Sequence, residues 1–109
     1  IESGGFLIIA NTGFNTLFNE QADVVSSYIS GNGDDVYELE DSEGSVHDVY
    51  GVKGEDGSNM IWEYLDGKAI RKKEVNSSAS IFDATEWIIY SKTHGNKQTA
   101  PQDFSPNSW

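Results

Sequence analysis

Asp35-Val36-Tyr37-Glu38-Leu39, Glu40-Asp41-Ser42-Glu43-Gly44 and Ser45-Val46-His47-Asp48-Val49-Tyr50-Gly51-Val52 follow one another, and the reading of the fold turns on them. The outer segments are rich in valine and tyrosine. The middle one is polar with glycine at its end, as a short hairpin loop should be. Strand side chains alternate between faces, so Val46, Asp48 and Tyr50 share one side while His47, Val49 and Gly51 share the other. The stretch therefore predicts an antiparallel hairpin.

Upstream, Phe6-Leu7-Ile8-Ile9-Ala10 is a short apolar run between Gly4-Gly5 and Asn11-Thr12-Gly13, which predicts a strand buried on both faces. Phe14, Leu17 and Phe18 recur at helical spacing, but Asn15 and Asn19 limit the segment to about one helical turn. Val24, Val25, Tyr28 and Ile29 suit a short strand ending at the Gly31-Asn32-Gly33 turn signal. Downstream, Ile61 to Leu65 is an aromatic-rich segment before an Asp66-Gly67 turn. Ala69 to Val75 reads as a strand with Ile70 inward, and Trp87-Ile88-Ile89-Tyr90 as the last clear strand. Short strands at roughly ten-residue intervals indicate an all-β sandwich or barrel. The natural division is one domain over residues 1–90 and a polar tail over 91–109 that holds both prolines, packed on the body through Phe104 and Trp109 or extending from it.

The chain has 109 residues, 37% of them apolar, with three Trp, five Tyr and five Phe, which is too rich for a disordered polypeptide. Eighteen acidic side chains against seven basic ones leave a net charge of −11. That excess argues against nucleic-acid binding, which needs clustered Lys and Arg. No apolar run approaches the ~20 residues of a membrane helix. Without cysteine there is no disulfide, thiolate metal site or cysteine nucleophile. Residues 20–66 hold 13 of the acids and only Lys53 among the bases, while residues 68–97 hold the other six bases. Intradomain complementarity is the simpler account of that asymmetry, and a charged docking face the other. The chain opens on Ile1, its sole methionine being Met60, which leads us to expect a processed or excised piece with residues upstream.

Taken in order, Leu7-Ile8-Ile9-Ala10-Asn11, Asn32-Gly33-Asp34-Asp35, Val46-His47-Asp48-Val49-Tyr50-Gly51, Trp62-Glu63-Tyr64, Ala69-Ile70-Arg71-Lys72, Phe82-Asp83 and Glu86-Trp87 resemble the bacterial branch of the lamin tail domain, over roughly residues 5 to 90. The resemblance implies an immunoglobulin-like β-sandwich with no catalytic centre of its own. Such domains are appended to secreted or cell-surface bacterial proteins, often extracellular nucleases, and serve binding or positioning. On that reading Asn32, Gly33, Asp34, Asp35, Asp48, Gly51, Arg71, Glu86 and Trp87 are structural motif residues. The departure is at the front, where the family's first strands are missing. A sandwich lacking them would pair with a neighbouring domain, with those missing strands, or with a second copy by strand exchange.

Each chemistry-bearing residue has a structural reading beside a functional one. Asp34 and Asp35 on a Gly-rich turn are weak calcium candidates, since no Asp-x-Asp-x-Asp-Gly run is present. Turn geometry with local Asp hydrogen bonds accounts for them better. Asp48 sits in a strand among Val46, Val49 and Tyr50, and pairing with Arg71 is the structural alternative to catalysis, because an inward charge needs a partner; His47, its neighbour, points to the other face. His47 and His94 lack a third metal ligand in local spacing. There is no Gly-x-Ser-x-Gly elbow and no phosphate-binding glycine loop. Trp62, Tyr64 and Trp109 are candidate stacking aromatics, with packing as the alternative; Trp87 reads as core. No cofactor is expected beyond that calcium alternative. The leading expectation is a secreted, non-catalytic binding module. A carbohydrate- or cell-surface-binding sandwich and part of a divalent-metal-dependent extracellular nuclease, with metal on Asp34, Asp35 and Asp48, are the rivals.

Overall fold

The hairpin forms where the alternation places it. In a computed structural model, which describes residues 4–95, β3 (Tyr37–Glu40) pairs antiparallel with β4 (Val46–Tyr50), with Tyr37 opposite Tyr50 and Leu39 opposite Asp48. The register shifts between Leu39 and Glu40, a bulge that twists the hairpin toward its tip. Asp41 closes the loop: its Oδ1 accepts from the N–H groups of Glu43 (2.9 Å) and Ser45 (3.0 Å), and Gly44 adopts φ 84°.

The chain divides into two compact units at Gly31/Asn32. In the first, β1 (Ile9–Ala10) and β2 (Val24–Val25) form a parallel pair, and α1 (Phe14–Phe18) lies between them in sequence. That helix is one turn long and ends at Asn19, whose left-handed backbone (φ 53°) stops it. The run 6–10 was expected to be buried on both faces and is not. Only Ala10 is buried, while Phe6, Leu7 and Ile9 are each about half exposed. Burial on both faces needs a neighbour at each edge and a layer over each face, and β2 supplies a two-residue ladder on one edge.

The second unit holds β3, β4, β5 (Lys68–Arg71) and β6 (Trp87–Tyr90). β5 and β6 pair antiparallel, Ile70 opposite Ile88 and Arg71 opposite Trp87. A single 3-10 turn, Ala84–Glu86, leads into β6 and is capped by Asp83, whose Oδ1 accepts from the Thr85 N–H at 2.8 Å. Strand alternation puts Lys68, Ile70, Ile88 and Tyr90 on one face and Ala69, Arg71, Trp87 and Ile89 on the other. Ile70 is therefore not the inward residue of its strand. It is 39% exposed, and Arg71 occupies the face that meets β4. The described strands thus make three two-stranded sheets, a β-rich fold with little helix. Among the described residues of this unit, the buried apolar ones are Val49, Tyr50 and Trp62. Among the described residues no helix is long and apolar enough to cross a membrane.

Candidate functional site

The motif residues 48, 71, 86 and 87 come from three strands and a turn, and they converge on one guanidinium. Arg71 Nη1 donates to Asp48 Oδ2 at 2.6 Å and Nη2 donates to Asp48 Oδ1 at 2.8 Å, a bidentate pair. The same guanidinium lies 3.4 Å from the Glu86 carboxylate and 4.6 Å from the centre of the Trp87 ring. Both favour a fixed cation, one by charge and the other by the ring's quadrupole. Asp48 also accepts from the N–H groups of Val49 (3.0 Å) and Ala79 (3.3 Å), so the 76–80 loop is tied down beside β4. Burial pushes the Asp48 carboxyl up, but Arg71 and the Ala79 N–H outweigh it and hold the group below the usual carboxylate range.

Tyr50, on the same face of β4, is the apolar half of this cluster. Its ring meets Trp62, Tyr64, Phe82 and Trp87 edge-on, at centroid distances of 6.4, 5.7, 5.3 and 4.8 Å. Edge-to-face geometry brings ring hydrogens onto neighbouring π faces. The hydroxyl is satisfied by donating to the Trp62 carbonyl. Burial raises the phenol well above its ordinary range. Tyr64 is raised by burial too, with a hydrogen bond to Tyr37 adding to it. Trp62, weighed above as a stacking aromatic, is 1% exposed, so its ring is packing material with no face for a ligand. Tyr64 is half-buried in the same cluster, and Trp109 lies outside the described residues.

The Asn32-Gly33-Asp34-Asp35 turn is held from within. Asp35 Oδ2 accepts from the Asn32 N–H at 2.9 Å, and Asp34 Oδ2 accepts from the Ser58 hydroxyl at 3.1 Å. Gly33 has φ 109°, and its carbonyl accepts from the Tyr64 N–H at 2.8 Å. A Cβ there would lie 2.6 Å from the Leu65 nitrogen, so this backbone crossing has room for glycine alone. Gly51, just after β4, has φ 88° and lies against Trp62 and Val36. Neither aspartate is brought to Asp48 as a metal-ligand set, and no group of three or more His, Cys, Asp or Glu suited to a metal occurs among the described residues.

His47 is exposed and pairs with Asp41 at 2.9 Å, and His94 lies in an exposed loop. The turn hydrogen bonds and His47 lower the Asp41 carboxyl, with Ser45 the largest contributor. Two features carried no local signal in sequence. Glu63 is 5% exposed and accepts from the Asn59 N–H (3.2 Å) and the Thr93 hydroxyl, joining two loops. Tyr50 takes a position among four rings that depends on partners up to 37 residues away. Chemically, the cluster is a charge-compensated structural stitch: the Asp48 oxygens already accept four hydrogen bonds, which leaves little basicity for a proton transfer. Comparison with family models, with curated proteins and with solved structures finds no match to this chain.

Proposed function

We propose that this chain is a non-catalytic, lamin-tail-like module of a secreted bacterial protein, an immunoglobulin-like sandwich that binds a partner or surface and positions a neighbouring domain such as an extracellular nuclease. One observation carries the reading. The residues on which the resemblance rests are used in holding the fold: Asp48, Arg71, Glu86 and Trp87 in one ion-pair and ring cluster, Asn32 to Asp35 in one turn. A metal-dependent hydrolase would keep carboxylates open to a cation and substrate, and here the Asp48 carboxylate is closed off by an arginine. A net charge of −11 also repels a polyanionic substrate.

The purified chain incubated with double-stranded DNA and with RNA, in magnesium or calcium, is expected to release no cleaved product. Mixed with intact bacterial cells and pelleted, it is expected to co-sediment. Turnover that disappears in Asp48→Asn, while near-ultraviolet circular dichroism stays unchanged, would overturn the proposal. So would absence of the chain from the pellet.

A further inference from the structure

β3 is paired on one edge only, and among the described residues its other edge has no strand beside it and no backbone hydrogen-bond partner. An open edge is a row of unmet N–H and C=O groups ready to pair with another chain. Its two faces differ. Tyr37 and Leu39 share one and are 37% and 63% exposed. Glu38 and Glu40 share the other, and their nearest cation is Lys53, at 2.7 Å from Glu38 and 3.9 Å from Glu40. No Lys or Arg occurs anywhere from residue 32 to 52. Such an edge discriminates by charge. A second copy would set glutamate against glutamate across the new ladder, and directly opposed like charges are unfavourable. A strand of opposite sign meets no such penalty.

We propose that the free edge of β3 accepts an extended basic segment of a partner protein as an added strand, its Lys or Arg side chains facing Glu38 and Glu40 and its apolar residues covering Tyr37 and Leu39. Main-chain hydrogen bonds supply the attachment, and the alternating side chains supply the choice of partner. The inference rests on the reading of the chain as a binding module and names its partner's chemistry.

The test is a titration of the isotope-labelled full chain with the peptide acetyl-Lys-Val-Lys-Val-Lys-Val-Lys-amide, followed by amide chemical shifts. At about 50 mM salt, shifts are expected to cluster at residues 36–41. The same peptide N-methylated at every residue keeps its charge and apolar groups but cannot pair as a strand, and it should bind at least about 10-fold more weakly. The double variant Glu38→Lys, Glu40→Lys should lose affinity by about 10-fold or more, with its remaining spectrum intact. Equal binding of the N-methylated peptide would reduce the effect to general charge attraction and overturn the proposal. Shifts centred elsewhere, or none at millimolar peptide, would do the same. Concentration-dependent shifts at 37–40 without peptide would assign the edge to a second copy and likewise overturn it. Any of these leaves the non-catalytic reading standing, because that reading is tested by turnover and by cell binding.

Discussion

Arg71→Ala removes three things together: a bidentate ion pair with Asp48, a second pair with Glu86, and a cation stacked on Trp87. Its side chain is 13% exposed and the two carboxylates 28% and 26%, so water compensates them only in part. Leaving both carboxylates facing one another without their counter-charge should cost about 3 kcal/mol. Asp48→Asn keeps the side chain's shape and an acceptor for the Ala79 N–H, and should cost less, about 1.5 kcal/mol. Denaturant unfolding of the two single variants and the double variant measures the coupling. A double variant no less stable than Arg71→Ala would place most of the loss in the pair itself. The sequence suggested that an inward Asp48 needs a partner and that Arg71 could supply it. Glu86 and Trp87 as further partners of the same guanidinium were not legible, because they depend on the β5–β6 register.

At the scale of elements, the aspartates explain how short strands are held in so small a body. Asp23, Asp35, Asp41, Asp56 and Asp83 each accept a backbone N–H at a turn or strand end, at 2.7 to 3.0 Å. Much of the acidic excess is thus turn chemistry, supplying acceptors where the backbone leaves N–H groups unpaired. Asp41→Ala removes two such bonds at the β3–β4 loop and is expected to destabilise the second unit slightly. Amide hydrogen exchange should quicken at Glu43 and Ser45 first, and little in β5 and β6. Hairpin and loop were readable in sequence because alternation and turn residues are local signals. The apolar run 6–10 misled for the same reason: its composition describes a buried strand, but burial depends on what else packs there.

For the molecule as a whole, the two ends of the pH scale test different halves of the central cluster. Folding lowers the Asp48 carboxyl, so the unfolded chain takes up the proton first as pH falls. The contribution is complete above about pH 5 and drains as pH passes below the ordinary value of about 4 and on through the folded one. Folding raises the Tyr50 phenol. Its contribution is whole below the ordinary value of about 10 and drains as pH rises above that. In urea midpoints measured from pH 2 to 11 (a range of about nine units), Asp48→Asn should flatten the acid limb and Tyr50→Phe the alkaline limb. An unchanged acid limb in Asp48→Asn would show that other carboxylates govern acid unfolding.

By itself the sequence determined the β3–β4 hairpin with its polar loop, the extent of β6 and the helical turn at Phe14–Phe18. Each follows from steric preference and hydrophobic period over a few adjacent residues. The bulge, by contrast, sets Val46 opposite Glu40 and so takes it off the face of Asp48 and Tyr50 that strict alternation predicted. Only the tertiary structure decided that Arg71, and not Ile70, faces β4, that Trp62 is sealed from solvent, and that Glu63 joins two loops. The reason is physical. Shifting a strand by one residue exchanges its two faces, and that choice is settled by partners 23 to 31 residues away, whose positions no local pattern records.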